Sequence, residues 1–96
     1  MKVRYGRFAL ADLEEIFAYI ASDNRDAAAR LVARFEEVAA RIGASPYLGE
    51  ATRKSRFRRF PVGNYLIVYE VTSDEVIIHY IRHGARQRPW EHEGGE

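Results

Sequence analysis

Cysteine is absent from the 96 residues, which removes disulfide bridges, thiolate metal sites and a cysteine nucleophile from consideration. This accords with a reducing, cytoplasmic setting. The chain also lacks any run of roughly 18 consecutive apolar residues, and Met1-Lys2-Val3-Arg4-Tyr5 leads into no apolar stretch with a small-residue cleavage site. Neither a membrane span nor secretion is predicted. Nucleotide-binding glycine loops of the G-x-x-x-x-G-K-[ST] or G-x-G-x-x-G type are missing as well; the glycines mark turns and the C-terminal tail. No cofactor is predicted.

Catalytic constellations are equally sparse. Ser22, Ser45, Ser55 and Ser73 all stand in cap or turn contexts, and none occupies a G-x-S-x-G elbow. His79 and His83 lie four positions apart on one apolar run. In a regular strand both would share one face about 13 Å apart, at about 3.3 Å per residue, too far for one ion. With His92 in the tail and no carboxylate at ligand spacing, no metal site is predicted.

What is present is enough apolar material for a core: 47% of residues are apolar and 12% aromatic, which argues against a disordered chain. A chain of this length holds one core. The expected organisation is a single domain over residues 1–90 with a flexible acidic tail over 91–96. Charge is unevenly spread: residues 1–50 hold 7 basic and 8 acidic side chains, whereas residues 51–90 hold 8 basic and 3 acidic. A basic second half favours an anionic partner, either nucleic acid or an acidic protein segment.

Leu10, Leu13, Ile16, Phe17 and Ile20 recur at the three- and four-residue steps of a helical face, predicting a helix over about 9–22. Any of Ser22, Asp23 or Asn24 could cap the next helix. That second helix starts near Asp26, carries Leu31, Phe35, Val38 and Ile42 on one face, and is stopped by Gly43 and Pro46. Two apolar-striped helices with so short a link make an antiparallel hairpin that needs cover. Residues 65–71 and 76–82, rich in β-branched and aromatic side chains, predict a β-hairpin around Thr72-Ser73-Asp74-Glu75. Residues 58–62 predict a shorter edge strand, because Pro61 has no N–H for a ladder, and residues 2–5 predict another edge strand. The fold class is α+β: β-α-α-β-β-β, with the helical hairpin packed on a small antiparallel sheet.

A metal-free ribonuclease needs only a base, an acid and cations for the developing phosphorane charge. Arg53, Lys54, Arg56, Arg58 and Arg59 could grip phosphates, His83 could shuttle a proton, and Tyr69 or Trp90 could stack a base. Solvated edge cations, a strand-end histidine and core aromatics account for the same residues.

Several segments together resemble a known family. Residues 11–20 (ADLEEIFAYI), Ala27-Ala28, Pro46-Tyr47-Leu48-Gly49, Arg59 to Tyr69, and Ile81-Arg82-His83-Gly84-Ala85-Arg86 follow one another as in the ParE branch of the ParE/RelE toxin superfamily. The resemblance spans about residues 3–88. It implies the same helical hairpin on a sheet, and a toxin neutralised by a ParD-like ribbon-helix-helix antitoxin in a hetero-oligomer. It implies DNA gyrase as the target and a protein that binds rather than catalyses; the alternatives are a RelE-like ribosome-dependent mRNA endonuclease using His83, or a non-toxic interaction module. On the ParE reading, Arg82, His83, Arg86, Arg88 and Trp90 form the target-facing end. Arg53, Arg58 and Arg59 meet antitoxin carboxylates, and Tyr19 and Phe60 line its apolar groove, with Tyr69 assigned to the core by strand alternation.

Overall fold

The structure, a computed structural model, describes residues 1–54 and 56–84. Strand β1 (Lys2–Tyr5) leads into helix α1 (Arg7–Ala21) and helix α2 (Arg25–Ala44). Strands β2 (Glu50–Ala51), β3 (Arg58–Val62), β4 (Tyr65–Val71) and β5 (Glu75–His83) follow. The sheet has five strands in the order β1-β5-β4-β3-β2.

Each break has a local cause. Asn24 is the residue that caps α2: its side-chain oxygen accepts from the Ala27 N–H at 3.0 Å, satisfying one of the unpaired donors of the first turn. Between β3 and β4, Gly63 takes φ +59°, which glycine adopts without strain in a two-residue hairpin. Thr72 closes the β4–β5 turn, its hydroxyl accepting from the Asp74 and Glu75 N–H groups.

Three sequence expectations are corrected. The sheet is mixed, because β1 runs parallel to β5 while the β2–β3, β3–β4 and β4–β5 pairs are antiparallel. Short turns force antiparallel neighbours; no short turn joins β1 to β5, so the orientation of that pair is set by packing. Second, Gly43 does not stop α2, which continues to Ala44. It is instead a point of close approach, since a Cβ there would lie 2.8 Å from the Met1 carbonyl oxygen and 2.9 Å from Val3 Cγ2. Third, the sheet gains the two-residue β2 beside β3, pairing with Arg58 and Arg59. Pro61 lies beyond that pairing, on the open part of the β3 edge.

The core lies between the helices and one face of the sheet. Phe35, Val38, Ala39 and Ile42 of α2 and Ala9 of α1 pack on Val62, Ile67, Tyr69, Val76, Ile78 and Ile81. Helix α1 contributes less than its apolar stripe implies: Leu10 is 50% and Phe17 37% exposed. The stripe is wider than the surface that α1 presents to α2 and β5. Among the described residues, no helix is long and apolar enough to cross a membrane.

Candidate functional site

The end of β5 carries the residues that the sequence assigned to the target. Strand β1 stops at Tyr5, opposite Ile78, so the rest of that edge of β5 has no neighbouring strand. Helix α1 takes over. The Asp12 carboxylate accepts from the Ile81 N–H at 2.9 Å and from Arg82 Nη1 at 2.8 Å. Phe8 stacks on Tyr80 with ring centroids 5.9 Å apart, and the Arg82 guanidinium lies over the same tyrosine ring at 4.7 Å. Arg82 is thus held on two sides.

A bulge sets which way each side chain of β5 points. Tyr69 is paired with Ile78 and Val68 with Tyr80, leaving His79 as the extra residue. Ile78 and Ile81 are therefore both buried on the helix face although three positions separate them. His79 and Tyr80 both turn to the outer face, where His79 Nε2 sits 2.8 Å from Glu70 Oε1. His83 returns to the helix side, its ring edge-on to Tyr65 at 5.0 Å, and Tyr65 in turn meets Phe35 edge-on at 5.7 Å. The expectation that His79 and His83 share a face is overturned, because one inserted residue exchanges the faces beyond it. Arg82 and His83 likewise point to opposite sides. Arg86, Arg88, Trp90 and the 91–96 tail lie outside the described residues.

The residues assigned to the antitoxin do not form one patch. Arg58 and Phe60 face the helix side of β3, alternating with Arg59. Arg58 Nη1 donates to the Gly49 carbonyl at 2.7 Å and its guanidinium covers the Tyr47 ring at 4.8 Å. Phe60 packs against the core beneath the Arg41 guanidinium, 5.6 Å away. Arg59 pairs with Glu50 at 3.3 Å. Arg53 is exposed before β3. Tyr19, 73% exposed, stands apart on α1.

One feature of this region escaped the sequence reading. Tyr69 is fully buried, and its hydroxyl donates to the Pro46 carbonyl at 2.8 Å and accepts from the Gly49 N–H at 2.7 Å. Burial pushes this phenol above the usual tyrosine range, while the Gly49 N–H and the Arg58 charge act in the opposite sense. A Cβ on Gly49 would lie 2.5 Å from that hydroxyl. The loop is therefore clamped from within, and it displays Tyr47 and Leu48, which are 68% and 41% exposed. A tyrosine in an otherwise apolar strand is the signal: once buried, its hydroxyl needs a partner.

Among the described residues no cluster of three metal-ligating side chains occurs. The exposed chemistry consists of apolar side chains on α1, the clamped loop, and arginines laid over aromatic rings. The class is that of small α+β domains in which a helical hairpin packs on a five-stranded mixed sheet. The fold matches the solved chromosomal ParDE system of P. aeruginosa with a TM-score of 0.73, covering 86% of this chain and 95% of that one at 19% identity.

The chain belongs to the ParE toxin family of type II toxin–antitoxin systems, parDE, whose model matches residues 3–88. Y4kP of Sinorhizobium fredii (strain NBRC 101917 / NGR234), a protein provisionally named a toxin, is 33% identical over 90 residues, covering 92% of this chain and 93% of its own. The protein is accordingly a ParE-type toxin.

Proposed function

We propose that this toxin inhibits DNA gyrase and is neutralised by a ParD-like ribbon-helix-helix antitoxin acting in the cytoplasm. Family membership supports the gyrase assignment. The antitoxin assignment rests chiefly on one observation: Leu10 and Phe17, two turns apart on one side of α1, stay exposed, leaving an apolar helix side unpartnered. Apolar surface of that kind on a small chain marks a protein interface. An amphipathic segment that folds on binding would cover it and extend carboxylates to nearby arginines. Arg82, oriented by Asp12, stands at the root of the segment running through Arg86, Arg88 and Trp90, the end assigned to gyrase.

Purified gyrase tests the reading. Micromolar toxin is expected to inhibit supercoiling and accumulate cleaved DNA, and the cognate antitoxin to abolish both effects. Undiminished supercoiling would overturn the gyrase assignment. Loss of messenger RNA at translating ribosomes, abolished by His83→Ala, would replace it with the nuclease reading. Leu10→Glu with Phe17→Glu, both on exposed positions, is expected to weaken antitoxin capture while leaving the fold intact.

A further inference from the structure

The outer face of the sheet, opposite the helices, carries an aromatic arrangement that shares only Arg82, over Tyr80, with the end assigned to gyrase. Three rings, Tyr80, His79 and Phe57, form a row across it, and Phe8 of α1 continues the row at the β5 edge. Phe8 stacks on Tyr80 at 5.9 Å, Tyr80 neighbours His79 at 6.2 Å, and His79 meets Phe57 edge-on at 5.4 Å. Three of these rings carry a guanidinium: Arg7 over Phe8 at 5.2 Å, Arg82 over Tyr80 at 4.7 Å, and Arg56 over Phe57 at 4.7 Å. The bulge at His79 makes the row continuous, because it turns two successive residues of β5 to one face.

The charges on this face favour an anion. Its carboxylates are already engaged, Glu70 by His79 and Glu75 by Arg4, and Asp12 at the edge is engaged by Arg82. Among the described residues, Arg7 and Arg56, at the two ends of the row, have no carboxylate partner. Shielding Val68, which is only 6% exposed on this face, requires apolar cover but not a cation over successive rings.

From this geometry we infer that the outer face of the sheet, along Phe8, Tyr80, His79 and Phe57, binds single-stranded nucleic acid. Unpaired bases stack on aromatic rings and on guanidinium planes, and guanidiniums also hold the phosphates between them. Both elements alternate here across the sheet. A duplex hides its base faces and gains only the charge contribution. The inference is separate from the gyrase reading, since inhibition through protein contacts alone would not need this face.

Fluorescence anisotropy of the purified full chain with a labelled mixed-sequence single strand of about 12 nucleotides, of DNA and of RNA, tests it. Binding is expected to be salt-dependent and tighter than to a duplex of the same sequence. Phe57→Leu and Tyr80→Leu should each weaken it about tenfold, and Arg56→Gln should lower the salt slope by about one. Circular dichroism and thermal melting of each variant separate lost binding from lost folding. The inference is overturned if the single strand is not bound at low salt, if the duplex binds equally well, or if the folded leucine variants bind like the parent. Displacement by poly-glutamate as effective as by unlabelled oligonucleotide would also overturn it and assign the face to an acidic protein. Supercoiling inhibition is read separately, so either result leaves the gyrase test intact.

Discussion

The carboxylate of Asp12, in the first helix, accepts from the backbone N–H of Ile81, in the last strand, at 2.9 Å. It serves the β5 edge three residues beyond Ile78, where the pairing with β1 ends. One side chain therefore does the work of a strand edge, and its second contact, to Arg82, orients the start of the C-terminal segment. Asp12→Ala leaves the Ile81 N–H without a partner, a loss of about 2 kcal/mol. Asp12→Asn keeps an acceptor and should cost about half as much. Urea denaturation of the two variants checks the ranking, and a double-mutant cycle with Arg82→Ala should show coupling of at least about 0.5 kcal/mol.

The clamp on the Pro46–Gly49 loop makes a second prediction. Tyr69→Phe removes both hydrogen bonds while keeping the ring, stranding the Gly49 N–H, at a cost of about 2 kcal/mol. Gly49→Ala should cost more, because its Cβ would meet the Arg59 carbonyl oxygen at 2.8 Å as well as the Tyr69 hydroxyl and the backbone oxygen has little room to move. At about 4–8 °C per kcal/mol for a domain of this size, both changes are readable as shifts in Tm.

Alkaline pH should destabilise the toxin early. Burial raises the phenols of both Tyr69 and Tyr5, and the Glu36 charge adds to the effect at Tyr5. The unfolded chain then releases its tyrosine protons first, from about pH 10. Stability from these groups is fully present below that pH and is lost as pH rises through their raised folded values. Tyr69→Phe should flatten this part of the profile, measured as the urea midpoint between about pH 8 and 11.

Deleting His79 tests the bulge. Without the extra residue, Tyr80 follows Ile78 directly, and Ile78, Tyr80 and Ile81 pair with Tyr69, Val68 and Ile67 in unbroken alternation, Ile81 staying on the helix face. The deletion variant should therefore fold and melt cooperatively while losing the contacts of His79 with Glu70 and Phe57, whereas inserting an alanine after His79 should turn Ile81 out of the core and lower Tm sharply.

The helices were legible because their apolar positions follow a helical period, and the hairpins because short turn residues separate β-branched runs. Asn24 was among the possible caps, but sequence alone could not choose among three neighbouring cap formers. The parallel β1–β5 pair was not legible: four residues specify a strand without specifying its direction. A two-residue β2 has no period at all. The bulge was hidden by the uniformly apolar run Val76-Ile77-Ile78 and by Tyr80 and Ile81, in which no polar alternation exists to break. The resemblance assigns Arg82 to the target-facing end, but its partner Asp12 lies 70 positions away, beyond the reach of local patterns. The exposure of Leu10 and Phe17 was likewise invisible, since an apolar stripe does not state how much of itself will be covered.

The parallel pairing of β1 with β5 also orders events in time. Strand β1 is synthesised first, yet the strand beside it in the sheet is the last one made, with Arg4 and Glu75 71 positions apart. Contacts between distant parts of a chain form slowly because the intervening loop must close first. While the ribosome holds residues 75–83, the nascent toxin lacks the edge that β1 requires, the Asp12 anchor has no Ile81 to hold, and the outer face has no Tyr80. The sheet therefore stays open beside β1 until its final strand emerges.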